Sequence, residues 1–221
     1  MTEPIRAVLF DLDGTLADTA LDLGAALNLL LAEEGLPPQP WQAIRPLASH
    51  GARGLIGLGF GVTPQQQDQF IGLRDRFLAH YAQHLADSTV LFDGVSPLIE
   101  AIVSRGWRWG IVTNKPARFT DPLVARLPLP FAPGVVVSGD TVGVPKPDPK
   151  PMYHAAQMLG VDPANCIYVG DAERDIEAGR RVGMTTVLAS YGYIAESDTP
   201  DAWGADITIN HPLDLLAHLP A

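Results

Sequence analysis

Five short apolar runs recur along the chain: IRAVLF (5–10), WRWGIVT (107–113), GVVVSG (134–139), CIYVGD (166–171) and TTVLAS (185–190). Their alternation with amphipathic segments constrains the fold more than any other feature. Continuous apolar runs, as opposed to runs alternating with polar residues, suit strands covered on both faces, which is the habit of parallel sheets. A parallel pair also needs a crossover of about a dozen residues, normally a helix. VSPLIEAIVSRG, ARFTDPLVARL, PKPMYHAAQMLG and ERDIEAGRRVG stand where those crossovers must be. The expected class is therefore α/β, a doubly wound parallel sheet. A last short strand near ADITI, followed by HPLDLLAHL, would close it.

One region interrupts the alternation. From Leu16 to Asp87 no strand pattern stands out, only helical periodicity in LADTALDLGAALNLLLAEEG, ARGLIGLG and TPQQQDQFIGLRDRFLAHYAQHL, punctuated by PPQP and GLGFG. We read residues 17–87 as an inserted, all-helical domain and residues 1–16 with 88–221 as the α/β core. The QQQDQ run (65–69) is expected to be the solvated start of a helix. Trp41, Trp107, Trp109 and Trp203 are expected to serve packing.

The 221 residues carry a formal net charge of -10, and no run of Lys or Arg stands out. Nucleic acid and anionic membrane surfaces are therefore not expected partners. The single cysteine, Cys166, excludes an intramolecular disulfide and fits a reducing compartment. The start, MTEPIRAVLF, has no long apolar region of a targeting peptide, and no later run approaches a membrane span. The expected location is the cytoplasm.

Ligands of open parallel sheets bind beyond the carboxyl ends of the strands. Polar residues fall there repeatedly. Asp11 and Asp13 follow the first run, and Thr113 with Asn114 ends the second. Lys146 lies in VGVPKPDPKP, and Asp171 with Asp175 follows CIYVG. Taken singly, each has an ordinary structural reading: a turn, a helix cap, a solvated loop lysine, a charged helix start. Their agreement at one sheet edge describes a Mg²⁺ site with an anion site beside it. His80 and His84 also have metal-ligand spacing, but no third ligand accompanies them.

Four motifs in order, DLDGT (11–15), VTN (112–114), Lys146 in KPDP and GDAERD (170–175), resemble those of the haloacid dehalogenase-like hydrolases. The resemblance spans nearly the whole chain and implies a Rossmann-like core with a helical cap that sets specificity. It further implies Mg²⁺-dependent phosphate-ester hydrolysis through an aspartyl-phosphate. Asp11 would be the nucleophile and Asp13 the acid and base. Asp11, Asp171 and the Asp13 backbone carbonyl would hold the metal, with Asp175 as ligand or support. Thr113, the Asn114 amide and Lys146 would bind the phosphoryl oxygens.

Details choose among related chemistries. Haloacid dehalogenases lack the second aspartate, and phosphonoacetaldehyde hydrolases use a cap lysine, of which 16–87 has none. β-Phosphoglucomutases usually carry Glu-Asp where this chain has Gly170-Asp171, and tend to have Ser at Thr113. VTNK, KPDP, GDAERD and YGY are similar to the phosphoglycolate phosphatase branch. The tail SYGYIAESDTPDAWGADITINHPLDLL and the stretch SHGARGLIGLGFG resemble N-acetylmuramic acid 6-phosphate phosphatases of cell-wall recycling. His50 and Arg53 are then candidates for meeting a polar or anionic substrate group. The remaining alternatives are 2-phosphoglycolate as substrate, phosphosugar isomerisation, and a silent scaffold, which would be expected to have lost Asp11, Asp13 or Lys146. The expected partner is a small phosphorylated metabolite.

Overall fold

The computed structural model describes residues 6–219, so Ile5 of the first apolar run lies outside it. In chain order the elements are β1 (Ala7–Phe10), β2 (Ala17–Asp18), α1 (Ala20–Glu33), α2 (Trp41–Ile44), α3 (Gly51–Phe60), α4 (Gln67–Gln83) and β3 (Val90–Leu91). There follow α5 (Val95–Ser104), β4 (Arg108–Val112), α6 (Ala117–Arg126), β5 (Val136–Val137), α7 (Lys150–Leu159), β6 (Cys166–Gly170), α8 (Glu173–Arg181), β7 (Thr185–Ala189) and β8 (Ile207–Ile209). Short 3₁₀ turns cover Arg45–His50 and Pro212–His218.

Six strands form one sheet in the order β5-β4-β1-β6-β7-β8, every pairing parallel. All four residues of β1 are buried, because helices cover both faces. Ala7 and Leu9 join one apolar cluster with Met152 and Leu159 of α7, while Val8 and Phe10 join the other with Leu98 and Ile102 of α5. This period of two is the pleat itself. Fully burying one such aliphatic side chain stabilises the fold by about 1.5–3 kcal/mol. The chain runs from β1 to β4 and β5 on one side, then to β6, β7 and β8 on the other. Strand order thus reverses at β1, which makes its carboxyl end the switch point where ligands lodge.

The helices α1–α4 pack on one another above that end through Leu27, Leu30, Leu31, Leu55, Phe70 and Phe77. Ala17 and Asp18 pair antiparallel with Val90 and Leu91, so the two connections to the core form a ribbon. A two-residue strand carries no periodic signature, which is why the sequence hides it. Asp22 in the first turn of α1 fastens the return connection, accepting hydrogen bonds from the Ser88 and Thr89 amides and the Thr89 hydroxyl. Gln65–Gln69 are exposed. Trp109 is core, whereas Trp41, Trp107 and Trp203 are half-buried. No helix among the described residues is long and apolar enough to cross a membrane.

Candidate active site

The end of β1 sits level with the ends of its two neighbours, Phe10 pairing with Ile111 of β4 and Val169 of β6. Backbone bonds hold the next residues in line, Asp11 N–H to the Val169 carbonyl and Thr113 N–H to the Val137 carbonyl. This register brings Asp11, Thr113 and Asp171 to one edge from three separate stretches of chain.

Asp11, Asp171 and Asp175 are all buried and offer carboxylate oxygens within 4.8 Å of one another. Lys146 inserts its buried ammonium beside them, 3.0 Å from Asp11 Oδ1 and 2.7 Å from Asp175 Oδ1. The same ammonium donates to the Val112 carbonyl and the Tyr168 hydroxyl. The Lys146 ammonium and the nearby Arg174 guanidinium together do not balance three carboxylates, which leaves excess negative charge out of water. Burial, reinforced by the charges of Asp11 and Asp175, raises the Asp171 pKa to about 7. Asp171 Oδ1 is buried and, among the described residues, meets no hydrogen-bond donor. Hard carboxylate oxygens, surplus negative charge and an unpartnered buried oxygen fit a divalent cation such as Mg²⁺.

The Asp13 carboxylate stands apart from this cluster. It accepts from Thr19 Oγ1 at 2.7 Å and from Lys115 Nζ at 2.8 Å. Lys115 is buried, which by itself disfavours its charge, but the Asp13 carboxylate and Tyr81 together outweigh burial and keep the ammonium protonated. Its position also lies 4.7 Å from the centre of the Tyr81 ring of α4. The motifs by themselves do not name Lys115, and its place directly after VTN is the sequence signal for it.

Asn114 does more than its motif suggested. Its side-chain amide accepts from the Lys146 N–H at 2.8 Å and donates to the Lys146 carbonyl at 2.9 Å. The side chain is therefore spent on fixing the lysine loop, and among the described residues no acceptor meets its backbone N–H. Thr113 is buried, with Oγ1 accepting from the Lys115 N–H.

Between these groups and the insert lies a cavity of about 920 Å³. Asp11, Asp13, Thr113 and Lys146 line its floor, and His50 and Arg53 line the facing wall. Arg53 stands in the first turn of α3, which begins at Gly51. Burial and the charge of nearby Arg174 lower the His50 pKa, favouring the neutral imidazole. His80 and His84 are not a joint site: His80 pairs with Glu33 and His84 with Asp87.

Residues 8–189 match the model of the haloacid dehalogenase-like hydrolase family. The chain belongs to that family. It is an enzyme, a haloacid dehalogenase-like phosphatase, and its curated relatives carry phosphatase names. An N-acetylmuramic acid 6-phosphate phosphatase of Pseudomonas putida is 43% identical, covering 96% of this chain and 94% of the relative. A phosphoglycolate phosphatase of Xanthomonas campestris is 40% identical, covering 95% and 94%. Among solved structures, a haloacid dehalogenase-like family hydrolase of Streptococcus pneumoniae superposes with a TM-score of 0.82 at 21% identity, covering 97% and 98% of the two chains. That likeness concerns the fold alone. Parallel register explains why Asp11 and Asp171, far apart in sequence, meet: each directly follows one of two adjacent strands of the sheet, β1 and β6.

Proposed function

We propose that this phosphatase is Mg²⁺-dependent, works through an aspartyl-phosphate on Asp11, and hydrolyses N-acetylmuramic acid 6-phosphate. The observation that carries the substrate reading is the cavity of about 920 Å³ between the cap and the carboxylate floor. Pockets that enclose ligands of sugar-phosphate size or larger fall in the range of about 300–1,000 Å³. Glycolate would leave most of this space to water, which the site must exclude to protect the intermediate.

Asp11 Oδ1 is held by the Leu12 N–H and by Lys146, leaving Oδ2 as the attacking oxygen. Asp13 protonates the departing sugar oxygen and then takes a proton from the water that cleaves the acyl phosphate. Lys115 and Thr19 hold Asp13 between these two duties. Thr113, the backbone N–H of Asn114 and Lys146 bind the phosphoryl oxygens where charge develops. Mg²⁺ bound by Asp11, Asp171, Asp175 and the Asp13 backbone carbonyl would supply the charge that offsets repulsion between nucleophile and phosphate dianion. Arg53 and His50 meet the sugar, Arg53 its lactyl carboxylate.

Phosphosugar isomerisation is disfavoured by Gly170. A Cβ there would stand 2.4 Å from Asp175 Cβ, so the glutamate common in mutases has no room while Asp175 keeps its place. The relatives named phosphoglycolate phosphatase favour 2-phosphoglycolate as the second reading.

Phosphate release with Mg²⁺ from both substrates separates the two. A kcat/KM preference of about a hundredfold for the sugar, roughly 2.7 kcal/mol in transition-state binding, is the expected result. The reverse preference would assign the enzyme to glycolate.

A further inference from the structure

The unpartnered oxygen of Asp171 has a counterpart that is fully occupied. Asp171 Oδ2 accepts from the Tyr193 N–H of the core at 2.8 Å and from the Ser49 hydroxyl of the cap at 2.8 Å. Ser49 is thus a cap side chain bonded directly to a member of the carboxylate cluster, across a sequence separation of 122 residues. The core grips the same residue a second time, because Arg174 donates to the Ser49 carbonyl at 2.8 Å. Arg45, four residues earlier, donates to the Tyr191 and Gly192 carbonyls of the core. Four residues after Ser49, Arg53 lines the cavity wall.

Asp171 has little freedom to turn. A Cβ on Gly14 would lie 2.1 Å from Asp171 Oδ2, so the carboxylate fills the space that this glycine leaves open. With Oδ2 taken by Ser49 and Tyr193, Oδ1 is the oxygen of Asp171 left without a donor among the described residues. A hydrogen bond from outside a metal site to a ligating carboxylate orients it and strengthens its hold on the metal.

We propose that Ser49 is a positioning residue that couples divalent-cation binding at the Asp11/Asp171/Asp175 cluster to closure of the cap. Closure brings the Ser49 hydroxyl onto Oδ2 and fixes Oδ1 for the cation. A cation on Oδ1 in turn holds Oδ2 where Ser49 finds it. Linkage makes the two effects equal in size: whatever closure adds to cation affinity, the cation adds to closure. His50 and Arg53 follow Ser49 into place, so the substrate-facing wall is assembled when the metal site is filled. The inference rests on the proposed Mg²⁺ site, not on the identity of the sugar.

The test is Mg²⁺ titration by calorimetry on the wild type, Ser49→Ala and Ser49→Thr, with amide exchange across residues 45–54 in Mg²⁺ or EDTA. Ser49→Ala is expected to bind Mg²⁺ about tenfold more weakly, the scale found when outer hydrogen bonds to metal ligands are lost. Mg²⁺ should slow exchange in 45–54 of the wild type and not of Ser49→Ala, and Ser49→Thr, which keeps the hydroxyl, should recover both. Equal thermal unfolding of the three proteins in EDTA would confirm that the loop is not simply broken. Wild-type affinity in Ser49→Ala, or Mg²⁺ protection that survives in it, overturns the coupling while the metal site stands. A wild type that takes up no Mg²⁺ overturns both.

Discussion

The Lys115 ammonium stands 2.8 Å from the Asp13 carboxylate and 4.7 Å from the centre of the Tyr81 ring, joining the proposed acid and base to the cap. Lys115 and Asp13 come from the ends of adjacent strands, whereas Tyr81 comes from α4. Lys115→Met keeps much of the apolar stem and removes the charge. The turnover of an aryl phosphate should fall roughly 10²-fold as Asp13 loses its anchor, the lower end of what positioned acid–base groups contribute. KM should move much less. Steady-state kinetics decides, and an unchanged kcat would mean that Asp13 needs no ammonium to hold it.

Asp11→Asn preserves shape and removes the nucleophile. Single-turnover phosphate release should be abolished, with the circular dichroism spectrum and unfolding midpoint close to wild type. Substantial residual hydrolysis would falsify the nucleophile assignment.

Lys146→Met is expected to act on stability as well as on activity. Its ammonium is the charge paired directly with both Asp11 and Asp175. Breaking a buried pair by removing one partner leaves uncompensated charge and costs about 3–5 kcal/mol. Urea unfolding in EDTA should show a loss of that order. Added Mg²⁺ should recover more stability in the variant than it adds to the wild type, since it restores positive charge to the same cluster.

Arg53→Ala should raise KM for N-acetylmuramic acid 6-phosphate while leaving a small aryl phosphate unaffected, because the guanidinium is proposed to meet the part of that substrate remote from phosphorus. Equal effects on the two substrates would make Arg53 part of the scaffold.

Cys166 is 1% exposed, and burial, with a smaller contribution from Asp162, pushes its thiol pKa up to about 12. The folded protein should not react with a thiol reagent at pH 8 and should yield one thiol when unfolded. The sign for stability follows. The unfolded chain loses this proton near the ordinary thiol pKa while the folded chain keeps it. The contribution is therefore complete below that value and declines as pH rises toward 12. Titration with the reagent in and out of denaturant measures the first, and unfolding at pH 8 and above the second.

The sequence alone determined the sheet and which polar residues stand at its carboxyl edge. Continuous apolar runs can be covered only from both sides, so strand, crossover and parallel pairing followed from local pattern. Asp11, Thr113 and Asp171 each stand at the end of such a run, and register along a parallel sheet then brings strand ends together. Tertiary structure decided what local pattern cannot encode. Ser49 on Asp171, Lys115 beneath Tyr81, Asn114 clamped to the Lys146 backbone and Tyr193 bonded to both Asp171 and Asp18 are contacts between distant stretches. Each depends on how the cap docks or how a loop folds back. Periodicity fixes which face of an element is buried, but a side-chain partner is chosen by the neighbour that packing delivers.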